Sequence, residues 1–176
     1  AAVKSECFSN VYVNSDGLVF KEIAEQYGAT FFHRVEELAG STIKADDVVY
    51  DFIQKFPGDY TIWVNTTSPL QPFSEIKQVM KHFLENDFDS LITTRKEYVH
   101  ANFDDKPLNY EIGNVFSKTQ DLIPVERFVY SIMAFKNSSF VESYEKTGSA
   151  MFCGKTGTYE VSKETSLIIK TTIGAT

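Results

Sequence analysis

Short apolar runs alternate with segments of helical periodicity along most of the chain. The strand-like runs are rich in β-branched and aromatic residues and lie at residues 11–13, 30–33, 61–64, 90–94 and 129–135. Apolar residues recur at helical spacing in the intervening segments, which cover residues 18–27, 43–56 and 74–84. The alternation predicts right-handed βαβ units, and therefore an α/β domain whose sheet is covered by helices on both faces.

Polar residues with capping chemistry mark where these helices begin and end. Ser41 or Thr42 can cap the helix that contains residues 43–56, and Ser74 can open the next one. A short helix is expected after Ser138 or Ser139, with its end near Gly148.

The two ends of the chain and one internal stretch depart from this pattern. Residues 1–7 are typical of the last turns of a helix, and residues 166–170 are strand-like, so we expect the chain to be part of a longer protein. Residues 96–128 are polar, aromatic and irregular, and they are too long for an ordinary connection. This stretch predicts an arm, a lid or a partner-contacting excursion from a single domain of 176 residues.

The composition argues against two classes of protein. Lys and Arg number 17 against 24 Asp and Glu, whereas proteins that track a phosphate backbone usually carry a basic surplus. No run approaches the ~20 apolar residues of a membrane span. We therefore expect neither nonspecific nucleic-acid binding nor membrane insertion.

The two cysteines and three histidines lie far apart and show no metal-ligand spacing. The cysteine usage predicts a reducing compartment. Any metal ion would have to be held by oxygen ligands or by the substrate.

A G-K-T sequence at residues 154–156 invites comparison with a phosphate-binding P-loop. That motif requires a glycine five residues before the Gly-Lys pair, where this chain has Ser149, and it requires a helix afterwards. The residues that follow are strand-like, so a surface turn is the better interpretation.

A polar loop follows the most hydrophobic strand, with the sequence N-T-T-S-P at residues 65–69. Ligands of open α/β sheets bind beyond the carboxyl ends of the strands. One amide and three hydroxyls can hydrogen-bond a polyhydroxy or carboxylate ligand. The same residue types often satisfy their own backbone at the start of a helix, and the two interpretations are equally supported.

A second polar turn, at residues 14–17, and Arg34 follow two other strands at the same predicted edge. An ordinary Asx turn is the favoured interpretation of the first. Arg34 can bind a phosphate through two parallel hydrogen bonds, or it can pair with Glu37 at the surface. Without further context, the surface pair is favoured.

Six short motifs resemble, in order, those of the cytidylyltransferases that activate acidic sugars, the CMP-N-acetylneuraminate synthetase family. Their order and compatible spacing across most of the chain make the resemblance fairly specific. The matching sequences are V-N-S-D at 13–16, I-A-E-Q-Y-G-A at 23–29, R-V-E-E-L-A at 34–39, D-V-V at 47–49, N-T-T-S-P-L-Q at 65–71 and Q-D-L at 120–122, followed by Pro124.

The resemblance implies a three-layer α/β/α nucleotidyltransferase of GT-A or Rossmann-like type, with a mostly parallel sheet and an irregular arm. It implies an enzyme that uses CTP and Mg²⁺ to make the CMP derivative of an acidic, nonulosonic acid-type sugar, with release of pyrophosphate. Such transfers depend mainly on positioning and charge neutralisation. The resemblance also implies a cytoplasmic homodimer whose arm is formed by residues 96–128.

Roles for individual residues follow from the same resemblance. Asp16 and Arg34 would contact the nucleotide. The sugar site would be lined by Asn65, Thr66, Thr67, Ser68 and Gln120. Asn65 stands where the family has a glutamine, and Gln71 stands where it has an arginine.

Two parts of the family pattern are missing from the chain. The family's opening strand and its A-R-G-G-S-K-G triphosphate loop would precede Ala1, so residues 1–176 would form a single domain without them. The family's metal-binding D-I-D-T matches residues 168–171, where Ile168 and Lys170 replace both aspartates. Neither residue can hold Mg²⁺, so no metal ligand is identifiable. Two alternatives stay open: a noncatalytic sugar- or nucleotide-binding homologue, and a nucleotidyltransferase that uses another nucleoside triphosphate.

Overall fold

The computed structural model describes residues 1–40, 42–113 and 115–169. The helices, in chain order, are α1 (Ala2–Ser5), α2 (Phe20–Gln26), α3 (Ala45–Lys55), α4 (Phe73–Glu85) and α5 (Asn137–Thr147). The strands are β1 (Tyr12–Ser15), β2 (Thr30–His33), β3 (Tyr60–Val64), β4 (Ser90–Glu97), β5 (Asn102–Phe103), β6 (Lys106–Pro107), β7 (Val125–Lys136) and β8 (Thr156–Glu160). Single 3₁₀ turns occur at Glu36–Leu38 and Thr119–Asp121.

The strands form a parallel pair, β1–β2, and a four-stranded sheet in the order β3–β7–β4–β8. In the larger sheet β7 runs antiparallel to both β3 and β4, while β8 runs parallel to β4. Three of its four strands therefore run in one direction, as expected, but β7 makes the sheet mixed. The irregular stretch, and not a crossover helix, precedes β7. The chain can therefore enter the sheet from the opposite end at β7, which allows this strand to be antiparallel to its neighbours.

Two cores on opposite faces of the sheet confirm the three-layer arrangement. Val49 and Ile53 of α3 pack with Met133 of β7 on one face, together with residues of α5. Ile76 and Phe83 of α4 pack on the other face, against Leu91 and Ile132. Alternate side chains of β7 enter the two cores, which explains why its sequence is an almost unbroken apolar run.

Helix α3 connects the two sheets through aromatic side chains. The ring of Phe56, just after α3, lies 4.2 Å from that of Tyr12, the first residue of β1, and 5.0 Å from that of Phe32 in β2. Strand β3 begins at Tyr60, only four residues beyond Phe56. Strands β1 and β3 both begin near the end of α3, and a helix connects β2 to β3, as in βαβ units whose strands end at one rim. On that basis we infer that the carboxyl ends of β1, β2 and β3 share a rim.

The start of α3 differs from the prediction. Ser41 lies outside the described residues, and Thr42 precedes the helix, which begins at Ala45. Capping comes instead from Asp47, whose carboxylate accepts the backbone N–H of Lys44 at 3.1 Å. A side-chain acceptor at the third position of a helix can accept the backbone N–H of the residue that precedes the helix.

The first turn of α5 and the end of the described chain also differ. Helix α5 begins at Asn137, so Ser138 and Ser139 lie inside its first turn, and the hydroxyl of Ser139 donates to Asp89 at 2.5 Å. Its end before Gly148, which has a left-handed φ of 70°, is confirmed. Residues 166–169 form no strand, and Lys170 lies outside the described residues.

The G-K-T sequence forms a turn into a strand, as predicted. Gly154 has a φ of 56°, and the carboxylate of Asp89 occupies the space that a Cβ would need there. Asp89 accepts the backbone N–H of Lys155 at 2.8 Å, and β8 begins at Thr156. The pKa of Asp89 is lowered by the Ser139 hydroxyl and by this N–H.

The irregular stretch is shorter than the sequence indicates. Strand β4 extends to Glu97 and β7 begins at Val125, which leaves residues 98–124, including the small β5–β6 hairpin. We call residues 98–124 the arm. Many of its large apolar side chains are exposed: Tyr98, Val99, Phe103, Leu108, Ile112, Val115, Phe116 and Ile123.

Membrane insertion was not expected from the sequence. Within residues 1–40, 42–113 and 115–169, no helix has both the length and the apolar character needed to cross a bilayer.

Candidate functional site at the carboxyl rim

Arg34 and Asp16 meet where the parallel strands β1 and β2 end. The Arg34 Nη2 atom donates to the Asp16 Oδ1 atom at 3.0 Å, and the Arg34 backbone N–H donates to the Ser15 carbonyl at the same distance. The Arg34 side chain is 20% exposed and that of Asp16 is 51% exposed. The expected surface pair with Glu37 is wrong, because the register of Ser15 with His33 brings the next residues of both strands together.

Two polar atoms beside this ion pair are buried without a partner among the described residues. They are Nε of Arg34 and Oδ1 of Asn14, in β1. An unsatisfied buried polar group costs about 1–3 kcal/mol, which a ligand or a water molecule can recover. For the guanidinium, a phosphate or carboxylate oxygen would form a charge-assisted bond.

In the loop after β3, residues 65–71, some polar side chains hydrogen-bond to other groups of the same loop. The Asn65 Oδ1 atom accepts the backbone N–H of Thr67 at 3.1 Å and its hydroxyl at 2.9 Å. Thr66 is exposed, while Ser68 is buried and its hydroxyl has no partner among the described residues. The Asn65 Oδ1 atom therefore satisfies the loop's own backbone, and the Thr67 hydroxyl is taken up by Asn65. The Asn65 Nδ2 atom, Thr66 and Ser68 are the groups left for a ligand.

The segment after β8 packs against this loop. The backbone N–H of Ile169 donates to the Thr67 carbonyl at 2.9 Å. This contact brings the region that matches the family's metal-binding motif next to the predicted sugar loop.

The described residues do not fit a magnesium site at this position. The side chain of Ile168 has no ligating atom, and Lys170 lies outside the described residues. Across the part of the chain that the structure describes, no group of three or more His, Cys, Asp or Glu side chains could hold a metal ion.

The predicted site residues fall into separate groups. Arg34 and Asp16 form one group at the ends of β1 and β2, and the loop after β3 forms another. Gln120 is exposed in the 3₁₀ turn of the arm, and the described contacts do not bring it to either group. Among the described strands, β1 pairs only with β2 and β3 pairs only with β7, so each of these two strands has one open edge.

Tyr130 is a rim residue that the sequence analysis missed. Its φ of 58° is left-handed although it lies within β7, where the pairing with β4 shifts register between Ile92 and Thr94. It directly precedes Ser131, whose carbonyl accepts the Asn65 backbone N–H at 2.8 Å. No sequence signal marks a tyrosine for this conformation, which favours glycine and asparagine.

The largest pKa shifts lie away from the rim and have structural causes. The hydroxyl of Tyr144 donates to Asp47 at 2.6 Å, which raises the pKa of Tyr144 to about 12. Burial raises the pKa of the Cys153 thiol to about 11. Both groups support packing of α3, α5 and the sheet, not chemistry at the rim.

Comparison with known proteins agrees with this architecture. A family model described as Cytidylyltransferase matches residues 1–147. The chain belongs to the cytidylyltransferase family.

Two N-acylneuraminate cytidylyltransferases, from two strains of Streptococcus agalactiae, are among the similar sequences. Each is 24% identical over 185 residues, which cover 97% of this chain. The chain spans 42% of the length of these relatives.

Two solved structures share the fold. A CMP:2-keto-3-deoxy-manno-octonic acid synthetase complexed with CTP has a TM-score of 0.59 at 11% identity, covering 91% of this chain and 76% of its own. The 4-diphosphocytidyl-2C-methyl-D-erythritol synthase from Anaerococcus prevotii has a TM-score of 0.64 at 14% identity, covering 97% and 77%.

Proposed function

We propose that the protein containing this chain transfers CMP from CTP to an acidic, nonulosonic acid-type sugar. The anomeric hydroxyl of the sugar would attack the α-phosphorus, forming the new P–O bond while pyrophosphate leaves. One observation carries the proposal: in a cytidylyltransferase fold, an arginine whose buried Nε has no partner among the described residues follows β2, and a loop with unpaired amide and hydroxyl groups follows β3.

The described residues would act by binding and orientation. Asp16 holds the guanidinium of Arg34 in place, and the remaining N–H groups of Arg34 would bind the anionic nucleotide. The Nδ2 atom of Asn65 and the hydroxyls of Thr66 and Ser68 would hydrogen-bond the sugar, beside Thr67. Gln120 would contribute its amide to the sugar site from the arm. The described residues do not fit Mg²⁺.

The open edges of β1 and β3 support a further part of the proposal. A strand between them would join the pair β1–β2 to the larger sheet, because unpaired strand edges are templates for pairing. The family's opening strand and triphosphate loop would fit this position in the full-length protein. We therefore treat residues 1–176 as most of a single cytidylyltransferase domain.

We also propose that the protein is a homodimer that associates through the arm. Contiguous exposed apolar surface on a folded protein typically marks an interaction site. The arm exposes Phe103, Ile112 and Phe116 among others, on a chain whose net charge is −7. A second copy of the chain is the partner that we propose.

A cytoplasmic location is part of the proposal as well. Cys7 and Cys153 are both free thiols, one exposed and one buried. Free thiols are typical of a reducing compartment.

The function is tested by incubating full-length protein with CTP, Mg²⁺ and a panel of acidic 2-keto sugars, with release of pyrophosphate as the readout. We expect release with at least one sugar, and much less from Arg34→Ala. Lys81→Ala, a change in an exposed helical ion pair, is the matched control and should keep wild-type activity. No release with any sugar from a demonstrably folded protein would overturn the proposal.

Ile168 favours a second candidate, a homologue that binds CTP or a sugar without catalysis. Calorimetric titration with CTP separates the two functions. CTP binding that is indifferent to Mg²⁺ would favour the noncatalytic protein, and a strict metal requirement would exclude it. Thermal shifts with CTP, UTP, GTP and ATP would show whether another nucleotide is preferred.

A further inference from the structure

Glu75, in the first turn of α4, is a buried carboxylate between two parts of the rim. It is only 7% exposed. Its Oε1 atom accepts the backbone N–H of Ser162 at 2.7 Å, and its Oε2 atom accepts the Thr165 hydroxyl at 2.5 Å. The Oε2 atom also accepts Nε2 of Gln71 at 3.3 Å. One side chain thus joins the loop after β3 to the segment after β8.

Hydrogen-bond donors contact both oxygens of the Glu75 side chain. Three donors surround its two oxygens, and the carboxylate lies at the N-terminal end of α4, where the helix dipole favours negative charge. No ion pair among the described residues includes Glu75. A neutral amide in its place would present an N–H group to these donors and leave at least one of them unsatisfied.

We call residues 161–169 the rim segment. Four other contacts hold it. Arg95 donates to the Val161 carbonyl at 3.2 Å, and the Val161 N–H donates to the Thr94 carbonyl at 2.9 Å. Arg127 donates to the Ser166 carbonyl at 3.3 Å, and the Ile169 N–H donates to the Thr67 carbonyl. The arginines attach the segment to β4 and β7. Glu75 alone among these anchors also contacts Gln71, in the loop, through its side chain.

The orientation of Gln71 depends on this contact. Its Nε2 atom faces Glu75, and its Oε1 atom is buried without a partner among the described residues. The hydroxyl of Ser68, in the same loop, is also buried without a partner among the described residues. Glu75 therefore fixes a loop that retains two unsatisfied polar groups.

We propose that Glu75 is a positioning residue that locks the rim segment and residues 65–71 into one unit, so that the loop is preorganised for the sugar. The effect on substrate rests on the function proposed above. The coupling of the two segments rests on the hydrogen bonds alone, so the two can be tested separately.

The coupling is tested by hydrogen–deuterium exchange on the full chain carrying Glu75→Gln. We expect exchange to rise about tenfold or more in both the rim segment and residues 65–71, while the amides of β7 keep their protection. Glu85→Gln is the matched control, since Glu85 lies exposed on the same helix and, within the part of the chain that the structure describes, forms an ion pair only with Lys81, at 3.7 Å. Unchanged exchange in Glu75→Gln, or a rise in only one of the two segments, would overturn the coupling.

A second pair of variants tests the coupling independently, in case the Glu75→Gln protein does not fold. Thr165→Val removes one donor to Glu75, whereas Thr165→Ser keeps the hydroxyl. We expect Thr165→Val to raise exchange in both segments and Thr165→Ser to restore the wild-type pattern. Equal behaviour of the two variants would contradict the proposed role of the hydrogen bond.

Steady-state kinetics then test the effect on substrate. We expect Glu75→Gln to raise KM for the sugar about tenfold or more, with a much smaller change in kcat and in KM for CTP. Equal changes in all three parameters, or none, would overturn the positioning role. A wild-type protein without activity would refute the proposed function and leave the exchange result standing.

Discussion

The guanidinium of Arg34 lies 3.0 Å from the carboxylate of Asp16, at the point where two parallel strands end. The strand register creates this pair, since Ser15 and His33 are aligned and the next two residues project from the same rim. Ion pairs this exposed contribute little stability, about 0–1 kcal/mol. The pair is therefore better suited to orienting Arg34 than to holding the fold together.

Replacing Arg34 should affect ligand binding more than folding. For Arg34→Ala we expect affinity for CTP to fall about tenfold to a hundredfold, the loss typical of a hydrogen bond to a charged group. We expect the melting temperature to change by no more than a few degrees. Calorimetric titration and thermal melts measure the two effects.

Asp16→Asn serves as the companion variant, because it keeps the shape of the pair and removes its charge. It should weaken CTP binding less than Arg34→Ala does. If Arg34→Ala instead melts far below wild type with unchanged affinity, Arg34 is a structural residue.

Tyr130 stores backbone strain in β7. A left-handed conformation costs roughly 1–2 kcal/mol for most residues, and asparagine tolerates it better. We expect Tyr130→Asn to raise the free energy of unfolding by about 1 kcal/mol, and Tyr130→Val to lower it. Urea denaturation provides the measurement.

Tyr98 is the control for the tyrosine side chain, since it is 52% exposed against 44% for Tyr130 and has no positive φ. Tyr98→Asn should not stabilise the protein. Equal loss of stability in Tyr130→Asn and Tyr130→Val would show that strain at this position is not significant.

The proposed association through the arm would depend on its exposed apolar side chains. Phe116→Asp places a charge among them and should convert the dimer to a monomer at micromolar concentration. Light scattering coupled to size-exclusion chromatography measures the mass. Tyr27→Asp, at an exposed position beyond the arm, should leave the dimer intact. A monomeric wild type, or a dimeric Phe116→Asp variant, would contradict the proposed interface.

The two thiols should differ in reactivity. Burial raises the pKa of Cys153 to about 11, and the side chain is only 2% exposed, whereas Cys7 is exposed. At pH 8, iodoacetamide should modify Cys7 in the native protein and Cys153 only after denaturation, as peptide mass spectrometry would show. Rapid labelling of native Cys153 would contradict its burial.

The same shift has a consequence for stability. Because the folded protein disfavours the thiolate, the contribution of Cys153 is complete below the ordinary pKa of 9.0 and falls as pH rises from 9.0 toward about 11. Cys153→Ala should therefore lose less stability than wild type over that interval. Parallel loss in both proteins would contradict this assignment.

Hydrophobic periodicity predicted most of the helices and strands. A helix buried on one face and a strand buried on both faces each give a regular pattern of apolar residues in the sequence. Val49 and Ile53 of α3, and the run from Ile132 to Phe135 in β7, are examples. The strand order was not predictable, since it depends on which edges pair. The antiparallel direction of β7 follows from the arm before it, which has no periodic pattern.

The residue types of the candidate site could be predicted from the sequence, but the residues with which they form hydrogen bonds and ion pairs could not. Strand ends indicated the rim, yet the partner of Arg34 depends on a register between strands that local sequence does not encode. Glu75 was missed because it reads as an ordinary acidic residue near a helix start. Its role becomes visible only when Ser162 and Thr165, far along the chain, fold against it.

Hydrogen–deuterium exchange of the full-length protein with a CMP-sugar product, CMP-N-acetylneuraminate, tests most directly whether the rim is one ligand site. Residues 14–17 and 33–34 would report on the nucleotide, and residues 65–68 on the sugar. We expect the product to slow exchange in all three stretches at once, and CTP alone to slow it mainly in the first two. Protection in only one group with the full product, or in neither, would contradict a shared site at the carboxyl rim.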